Sequence, residues 1–232
     1  MDLIASLFDR MDGWRHLPNY QLERRADLFF SLYLPAALEA RLGVSIHPLM
    51  VPEFPVRIGT IYPTIETDKS FKVDYVCFSA DLERVLFVEL KTDGLSRREG
   101  QDNYLAAAQK VGFQNLLEGL LKIFQATAAK RKYFNLLDLL GRIGFLTIPE
   151  VMYDIVKRES LAGIDRAAEK IEIHCKTNTP EIIYLQPNGN GKEVLSFAEF
   201  KKSVERLDDP ISRRFAISLD QWASVKAGRA VR

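Results

Sequence analysis

Two apolar segments, residues 71–79 and 84–92, constrain the fold of this chain more than any other feature of its sequence. Both are rich in Val, Phe, Leu and Tyr, and the four residues between them predict a β-hairpin. The predicted strands also contain three charged residues: Asp74, Glu89 and Lys91. A charge buried in a sheet is unfavourable by several kcal/mol unless it is paired or bound to a metal ion. Three charges within one hairpin therefore call for a functional explanation.

The pairing of the two predicted strands decides whether these charges meet. With the turn centred on the four intervening residues, 80–83, Ser79 faces Arg84. The same pairing makes Asp74 face Glu89, with Cβ atoms about 4.5–5.5 Å apart, and puts Lys91 on the same face. The two carboxylates would repel each other, whereas a divalent cation between them would turn that repulsion into binding. A slip of one residue would remove the alignment, so the hypothesis depends on the turn.

A short motif spans the two predicted strands: Val73-Asp74 on the first and Glu89-Leu90-Lys91 on the second. It resembles the motif of the PD-(D/E)xK nuclease superfamily. Members of that superfamily place a carboxylate at the start of one strand and (Asp/Glu)-x-Lys on the next strand of a hairpin. Val73 stands where the family name has proline, a common departure. The alternative is a solvated ion pair on an exposed strand edge, but the apolar residues around Glu89 favour a central strand.

The resemblance implies an α/β fold with an αβββαβ restriction-endonuclease-like core, in which helices flank a mixed central sheet. The order of the predicted elements agrees with such a core over residues 19–186. Residues 187–232 would add a C-terminal extension, so that residues 1–232 form a single nuclease-like domain.

Composition sets further limits on function. The chain has 232 residues, 47% of them hydrophobic, which is enough for a sizeable core and argues against disorder. A net charge of +1 neither requires nor excludes a polyanionic partner. Cys77 and Cys175 are interpreted as buried thiols, since no zinc-type Cys/His spacing exists. We find neither a basic leader nor a long apolar run, so we expect no membrane span and a cytoplasmic protein.

Residues 19–43 form a predicted helix before the hairpin, with apolar residues at helical spacing and Asn19 as its cap. The proline-rich residues 44–55 predict an irregular extended segment, and residues 56–62 predict the first strand. In the resembled family a glutamate on the first core helix often reaches the metal site, which makes Glu23 a candidate ligand. A solvated helix face is an equally supported interpretation of Glu23.

A capping box formed by Ser96 and Glu99 predicts the start of a helix over residues 97–128. Its N-terminus follows the second strand of the hairpin by only a few residues. Free backbone amides at that end, together with Arg97 and Arg98, are suited to binding a phosphate group of the substrate.

Gln101 and Tyr104 lie on the first turns of this predicted helix. The exonuclease-like branch of the resembled superfamily carries a glutamine and a tyrosine four residues apart on the corresponding helix, whereas this chain has them three residues apart. Gln101 is therefore a candidate for contact with the substrate or with a metal ligand, and Tyr104 is interpreted as a core residue. The basic residues 130–133 are interpreted as a solvated face rather than a nucleic-acid contact.

The rest of the chain predicts further helices and strands in alternation. Helices are predicted over residues 134–145, 150–168, 196–207 and 208–225, and strands over residues 170–176 and 181–186.

These observations predict a metal-dependent nuclease. The resemblance implies that Asp74 and Glu89 hold Mg²⁺ or Mn²⁺, with the backbone carbonyl of Leu90 as a further ligand and Glu23 supporting a second ion. Lys91 would orient the attacking water or stabilise the transition state. The expected partner is nucleic acid, DNA rather than RNA, and the enzyme would act as a monomer or a homo-oligomer. Two alternatives stay open: an inactive nuclease-fold module that binds nucleic acid or protein, and an unrelated α/β domain.

Overall fold

The computed structural model describes residues 2–93, 99–175 and 179–224. Within them the elements follow in this order: α1 (Leu3–Trp14), α2 (Leu22–Leu42), β1 (Val51–Arg57), α3 (Ile58–Ile61), β2 (Ser70–Phe78), β3 (Val85–Leu90), α4 (Glu99–Val111), α5 (Phe113–Ala126), α6 (Lys130–Ile143), β4 (Leu146–Thr147), α7 (Glu150–Val156), α8 (Ile164–Ala168), β5 (Glu172–Ile173), β6 (Glu181–Gln186), β7 (Val194–Ser196), α9 (Phe197–Val204) and α10 (Pro210–Ser224). Among these helices, none has both the length and the apolar character needed to cross a membrane.

The described strands form two sheets. The larger sheet has five strands in the order β1-β2-β3-β6-β7, and the smaller one consists of β4 and β5. Strands β1 and β2 are antiparallel whereas β6 and β7 are parallel, so the larger sheet is mixed. The prediction of an α/β protein with a mixed sheet is therefore confirmed.

The hairpin that dominates the sequence forms as predicted. Strand β2 lies within the predicted segment 71–79 except for its first residue, Ser70. Strand β3 lies entirely within the predicted segment 84–92. The backbone N–H of Ser79 donates to the carbonyl oxygen of Arg84 over 3.1 Å, so these two residues face each other as expected. The Ser79 hydroxyl also accepts a hydrogen bond from the Arg84 amide, and the Asp81 carboxylate accepts one from the Ser79 hydroxyl. These side-chain bonds fix the turn and with it the register at this end of the hairpin.

The chain divides into two compact units, and each is assembled from separate segments. The first unit comprises Met1–Ile46, Val88–Gln101 and Ile182–Arg232, and the second comprises His47–Phe87 and Asp102–Glu181. The single-domain organisation expected from the sequence stays a prediction.

The first unit is built around aromatic side chains of α2, α9 and α10. Phe30 is fully buried, and its ring centroid lies within 5.3 Å of three others: Phe197, Phe200 and Phe215. Aromatic rings bury large apolar areas, so this cluster stabilises the packing of the three helices. The hydroxyl of Ser196 accepts a hydrogen bond from the Glu199 amide, which confirms the predicted start of α9. Helices α9 and α10 thus contribute aromatic side chains to the core of this unit.

The second unit has its core between α5 and the strands. Phe113, the first residue of α5, is fully buried, and its ring centroid lies within 6.4 Å of four others: Phe54, Phe78, Phe87 and Phe145. Helix α5 packs on β1 through this face, and α3 packs on α5. The apolar face of α5 is therefore buried in the core of the second unit.

Gly119 allows the close approach of α3 to α5, and replacing it is expected to destabilise the second unit. A Cβ atom at this position would collide with Thr60 Oγ1 and would lie 3.1 Å from Thr60 Cβ. We expect Gly119→Ala to lower the free energy of unfolding by about 1–3 kcal/mol, because overpacking outweighs the gain of about 1 kcal/mol from alanine in a helix. Thermal unfolding measures the difference.

Gly13→Ala in α1 is the matched control, because a Cβ atom there meets no other atom within 4 Å. This variant should gain stability from its higher helix propensity. Equal effects of the two substitutions would contradict the packing of α3 against α5, whereas recovery in the double variant Gly119→Ala/Thr60→Ala would support it.

The first strand differs from its prediction. Strand β1 covers Val51–Arg57 and is followed directly by α3, so the strand predicted over residues 56–62 is wrong. Pro52 and Pro55 both lie within β1, in a segment predicted to be irregular. Strand β1 is at the edge of the sheet, where proline is tolerated because one side of the strand forms no ladder hydrogen bonds.

Two predicted helices also differ from the structure. The helix predicted over residues 97–128 is interrupted at Gly112, whose φ of +84° is a conformation that glycine adopts readily. Helix α2 begins at Leu22 and continues through Pro35 without a break. Asn19 does not cap it, because Asn19 lies before the helix with a φ of +63° and Gln21 takes the capping position.

Further along the chain the predictions hold in part. The strand predicted over residues 170–176 is reduced to β5, which pairs with β4, and the helix predicted over residues 150–168 is divided into α7 and α8. Strand β6 and helices α6, α9 and α10 are confirmed, whereas β7 was not predicted.

Candidate active site at the end of the central strand

The site predicted from the hairpin is built on the C-terminal end of β3. Glu89 and Leu90 are its last two residues, and Lys91 follows directly. Strand β3 is the middle strand of the five-stranded sheet, and each of its residues is buried. The side chain of Glu89 is 0% exposed and that of Lys91 is 6% exposed. The alternative interpretation, a solvated ion pair on an exposed strand edge, is therefore wrong.

Lys91 forms a buried ion pair with Glu89. Its Nζ donates to Glu89 Oε2 over 3.3 Å and to the carbonyl oxygen of Leu90 over 3.1 Å. The ammonium group therefore bridges a carboxylate and a backbone carbonyl that lie next to each other along the chain. Both partners are withdrawn from water, so each contributes to compensating the charge of the other.

Gln101 also contacts the Glu89 carboxylate. This residue lies in the first turn of α4, and its Nε2 donates to the same Glu89 Oε2 that accepts from Lys91. Glu89 is thereby held by one charged and one neutral donor. The structure brings together three of the residues that the sequence predicted as site residues: Glu89, Lys91 and Gln101.

Glu23 reaches the same segment of chain from α2. It lies in the first turn of that helix and accepts a hydrogen bond from the backbone N–H of Thr92 over 3.2 Å. Thr92 follows Lys91 directly, so Glu23 is placed one residue from the buried ion pair. The Glu23 carboxylate therefore lies beside the end of β3, and its role as a metal ligand stays a prediction.

Arg15 was not predicted and binds the other side of the same peptide segment. Its Nη2 donates to the carbonyl oxygen of Thr92 over 3.3 Å, and its guanidinium lies 5.9 Å from the ring of Trp222. Burial lowers the pKa of Arg15, and the nearby Asp12 and Asp93 oppose that effect. The backbone of Thr92 is thus held at its N–H by a carboxylate and at its carbonyl by a guanidinium. Arg15 and Thr92 are 77 positions apart in the chain, so the local sequence around either residue does not predict this contact.

Three predicted site residues are not placed in this cluster. Asp74 is half-buried on β2 and belongs to the second unit, so its predicted position opposite Glu89 stays a prediction. Arg97 and Arg98, proposed as phosphate contacts, lie outside the described residues, as does Ser96 of the predicted capping box.

Two oxygen atoms at the end of β3 lie around one cationic group. Glu89 Oε2 and the Leu90 carbonyl oxygen both contact one positively charged group, the Lys91 ammonium, so they converge on one point where a cation is stabilised. Mg²⁺ binds through one or two carboxylates and retains several water molecules, which fits a small set of protein oxygen ligands. In the described part of the chain, no cluster of three or more His, Cys, Asp and Glu side chains could hold a metal ion.

No family model, curated protein or solved structure matches the chain. Function therefore has to be inferred from the side chains at the end of β3, because a fold alone does not determine chemistry. The buried ion pair, the glutamine on α4 and the glutamate on α2 are the groups from which that inference can start.

The basic residues 130–133 have a structural role at their first two positions. Lys130 Nζ donates to the carbonyl oxygens of Phe124 and Gln125, each over 2.7 Å, and so caps the end of α5. Arg131 donates through Nη2 to the carbonyl oxygen of Glu159 over 3.0 Å. These contacts favour the interpretation of the segment as part of the folded scaffold rather than a nucleic-acid contact.

Proposed function

We propose that the protein is a Mg²⁺- or Mn²⁺-dependent nuclease that hydrolyses phosphodiester bonds, in DNA rather than RNA. The observation that carries the proposal is the buried Glu89–Lys91 pair at the end of the central strand, with Gln101 on the same carboxylate. A buried ion pair is a weak source of stability, because apolar residues of similar volume often stabilise a protein as well or better. Its presence here is therefore best explained by chemistry.

The order of elements supports a restriction-endonuclease-like core. Helix α2 is followed by β1, β2 and β3, then by α4 and α5, and later by β6. This is the αβββαβ order that the resemblance to PD-(D/E)xK nucleases implies, with α3, α6, β4, α7, α8 and β5 as insertions. In that superfamily the (Asp/Glu)-x-Lys element lies on the second strand of a hairpin, and in this chain Glu89 and Leu90 end β3 with Lys91 directly after them.

Asp74 is proposed as the second carboxylate of the site. The hydrogen bond from Ser79 to Arg84 supports the register on which this assignment depends. If the same register continues along both strands, Asp74 lies opposite Glu89. Two facing carboxylates in a sheet repel each other unless a cation or a proton compensates them, so this pairing would favour metal binding.

The proposed roles follow from the contacts of each side chain. Glu89 and the Leu90 carbonyl would hold the ion, and Glu23, beside Thr92, would support a second one. Mg²⁺ or Mn²⁺, when bound, supplies a more acidic water and positive charge at the scissile phosphate. Gln101 fixes the orientation of the Glu89 carboxylate. Lys91 contributes its ammonium to orienting the water or to stabilising charge that develops on the phosphate.

Cleavage of nucleic acid in the presence of metal tests the proposal. The wild-type protein is incubated with end-labelled single-stranded, duplex, nicked and flapped DNA and with RNA, in Mg²⁺, in Mn²⁺ and in EDTA. We expect cleavage of at least one DNA substrate with metal and none with EDTA, because the carboxylates act only through the ion.

Glu89→Gln serves as the matched variant, because it keeps the size of the side chain and removes its charge. It should abolish cleavage. If the wild-type protein binds these nucleic acids without cleaving any of them, and Glu89→Gln binds them equally well, the protein is a nuclease-fold binding module instead.

A further inference from the structure

The connection between α1 and α2 lies against the end of β3, where the candidate site is built. Arg15 follows the last residue of α1 and donates to the carbonyl oxygen of Thr92. Glu23, in the first turn of α2, accepts from the N–H of the same residue. Residues 15–23 are therefore held at both ends to the backbone of Thr92, which follows Lys91 directly. Side chains at either end of this connection lie beside the candidate site.

An exposed aromatic pair lies at this connection. Trp14 ends α1 and is 47% exposed, and Tyr20 lies two residues before α2. The two ring centroids are 6.1 Å apart at an interplanar angle of 75°, and the Arg10 guanidinium lies 5.7 Å from the Trp14 ring centroid. Tyr20 and Arg10 thus hold the indole in one orientation while much of it stays accessible. An indole presented in this way can stack on the face of an unpaired base.

Exposed arginines lie on both helices that flank the aromatic pair. Arg10 is one turn before Trp14 on α1, and Arg24 and Arg25 directly follow Glu23 on α2. All three arginines are exposed, and none of them forms a hydrogen bond or an ion pair in the described part of the chain. A guanidinium group without a protein acceptor is available to phosphate oxygens, which it binds in bidentate geometry.

We propose that these side chains form a platform that binds single-stranded nucleic acid beside the end of β3: Trp14, Tyr20, Arg10, Arg24 and Arg25. Trp14 stacks on an unpaired base, and the arginines bind phosphates of the same strand. A base inside a duplex is already stacked on both faces, so the platform discriminates single strands from duplexes. The proposal rests on the nuclease function and deepens it, because it names the substrate class as nucleic acid that is single-stranded next to the scissile bond.

Tryptophan fluorescence tests the platform in the wild-type chain. The chain has two tryptophans and Trp222 is 1% exposed, so quenching by a stacked base reports on Trp14. The protein is titrated with oligo(dT) and with a duplex of the same length, both in EDTA to prevent metal-dependent cleavage. We expect the single strand to quench the fluorescence and the duplex to leave it unchanged. Binding of oligo(dT) without quenching would overturn the stacking of Trp14 on a base.

Variants of Trp14 test the same contact through affinity, measured from the fluorescence anisotropy of a labelled oligonucleotide. Trp14→Leu should weaken binding of oligo(dT) by about 5- to 100-fold, the usual effect of removing one stacked aromatic ring, and should leave duplex binding unchanged. Trp14→Phe keeps an aromatic ring and should retain most of the affinity. Equal affinity of wild type and Trp14→Leu for oligo(dT) would overturn the platform. A change confined to self-association of the protein would also overturn it and would assign Trp14 to an interface between copies.

The salt dependence of binding tests the arginines. For single strands the slope of log K against log salt changes by about 0.7 for each phosphate contact, so the double variant Arg24→Ala/Arg25→Ala should have a slope smaller by about 1.4. Arg213→Ala is the matched control, because Arg213 is 60% exposed but is paired with Asp208. It should leave the slope unchanged. Equal slopes in wild type and the double variant would overturn the phosphate contacts of the platform.

The outcomes separate the platform from the proposed nuclease. Binding of oligo(dT) that depends on Trp14, without cleavage of any substrate in Mg²⁺ or Mn²⁺, would support the platform and overturn the nuclease. Metal-dependent cleavage together with equal affinity of wild type and Trp14→Leu for oligo(dT) would overturn the platform and support the nuclease. Neither binding nor cleavage of any nucleic acid would overturn both.

Discussion

Lys91→Ala is expected to lower kcat for DNA cleavage by about 100- to 1,000-fold, the usual effect of removing one group that stabilises charge in a transition state. The loss should appear in kcat rather than in the affinity for DNA, because the ammonium acts on charge that develops during the reaction. Single-turnover cleavage at saturating Mn²⁺ measures it. Under these conditions a changed affinity of the variant for the ion does not affect the rate.

Lys157→Ala controls for the general loss of a positive charge. Lys157 is 74% exposed and its partner Asp154 is also exposed, so its removal should leave kcat unchanged. Lys91→Arg tests whether charge alone suffices, and partial activity would favour an electrostatic role over proton transfer. Cleavage by Lys91→Ala at the wild-type rate would contradict the assignment, and the buried ammonium would then serve only to compensate Glu89.

The hairpin could be predicted because its determinants are local. Apolar residues on both sides of a four-residue break specify the strands, and the side chains of Ser79 and Asp81 fix the turn within that break. Burial of Glu89 and Lys91 could be predicted for the same reason, since the residues around them are apolar. The structure places Gln101 against Glu89, and the predicted role of Gln101 as a contact of the substrate or of a metal ligand stays a prediction.

The features that sequence did not predict depend on distant parts of the chain. Strand β1 accommodates Pro52 and Pro55 because it is an edge strand, and strand order is not visible in local sequence. The apolar residues on both sides of Gly112 favour one continuous helix, whereas the structure has two. Arg15 meets Thr92 only because α1 ends beside β3. In each case the local pattern is compatible with the structure without specifying it.

Helix α1 shows the same limit most clearly, because its hydrogen bonds to α10 join residues as much as 210 positions apart. In the structure Asp12 of α1 accepts hydrogen bonds from three side chains of α10: the Trp222 indole N–H over 2.8 Å, Arg214 Nη2 over 2.6 Å and the Ser218 hydroxyl over 3.2 Å. The Asp12 side chain is 13% exposed. A single carboxylate thus connects α1 to the helix that carries Trp222 in the aromatic core of the first unit.

Asp12→Ala is therefore expected to lower the free energy of unfolding by about 3 kcal/mol, because it leaves a largely buried guanidinium and an indole N–H without this acceptor. For a chain of this length the corresponding fall in Tm is about 6–12 °C. Thermal unfolding followed by circular dichroism measures it.

Asp9→Ala is the matched control on the same helix. Asp9 accepts from the same Arg214 Nη2 over 2.7 Å, but its side chain is 69% exposed and no hydrogen bond joins it to the indole. An exposed ion pair contributes about 0–1 kcal/mol, so Asp9→Ala should change Tm only slightly. Equal losses in the two variants would assign the stabilisation to the shared ion pair with Arg214. A larger loss in Asp12→Ala would instead assign it to burial and to the hydrogen bond with Trp222, which connects α1 to the core.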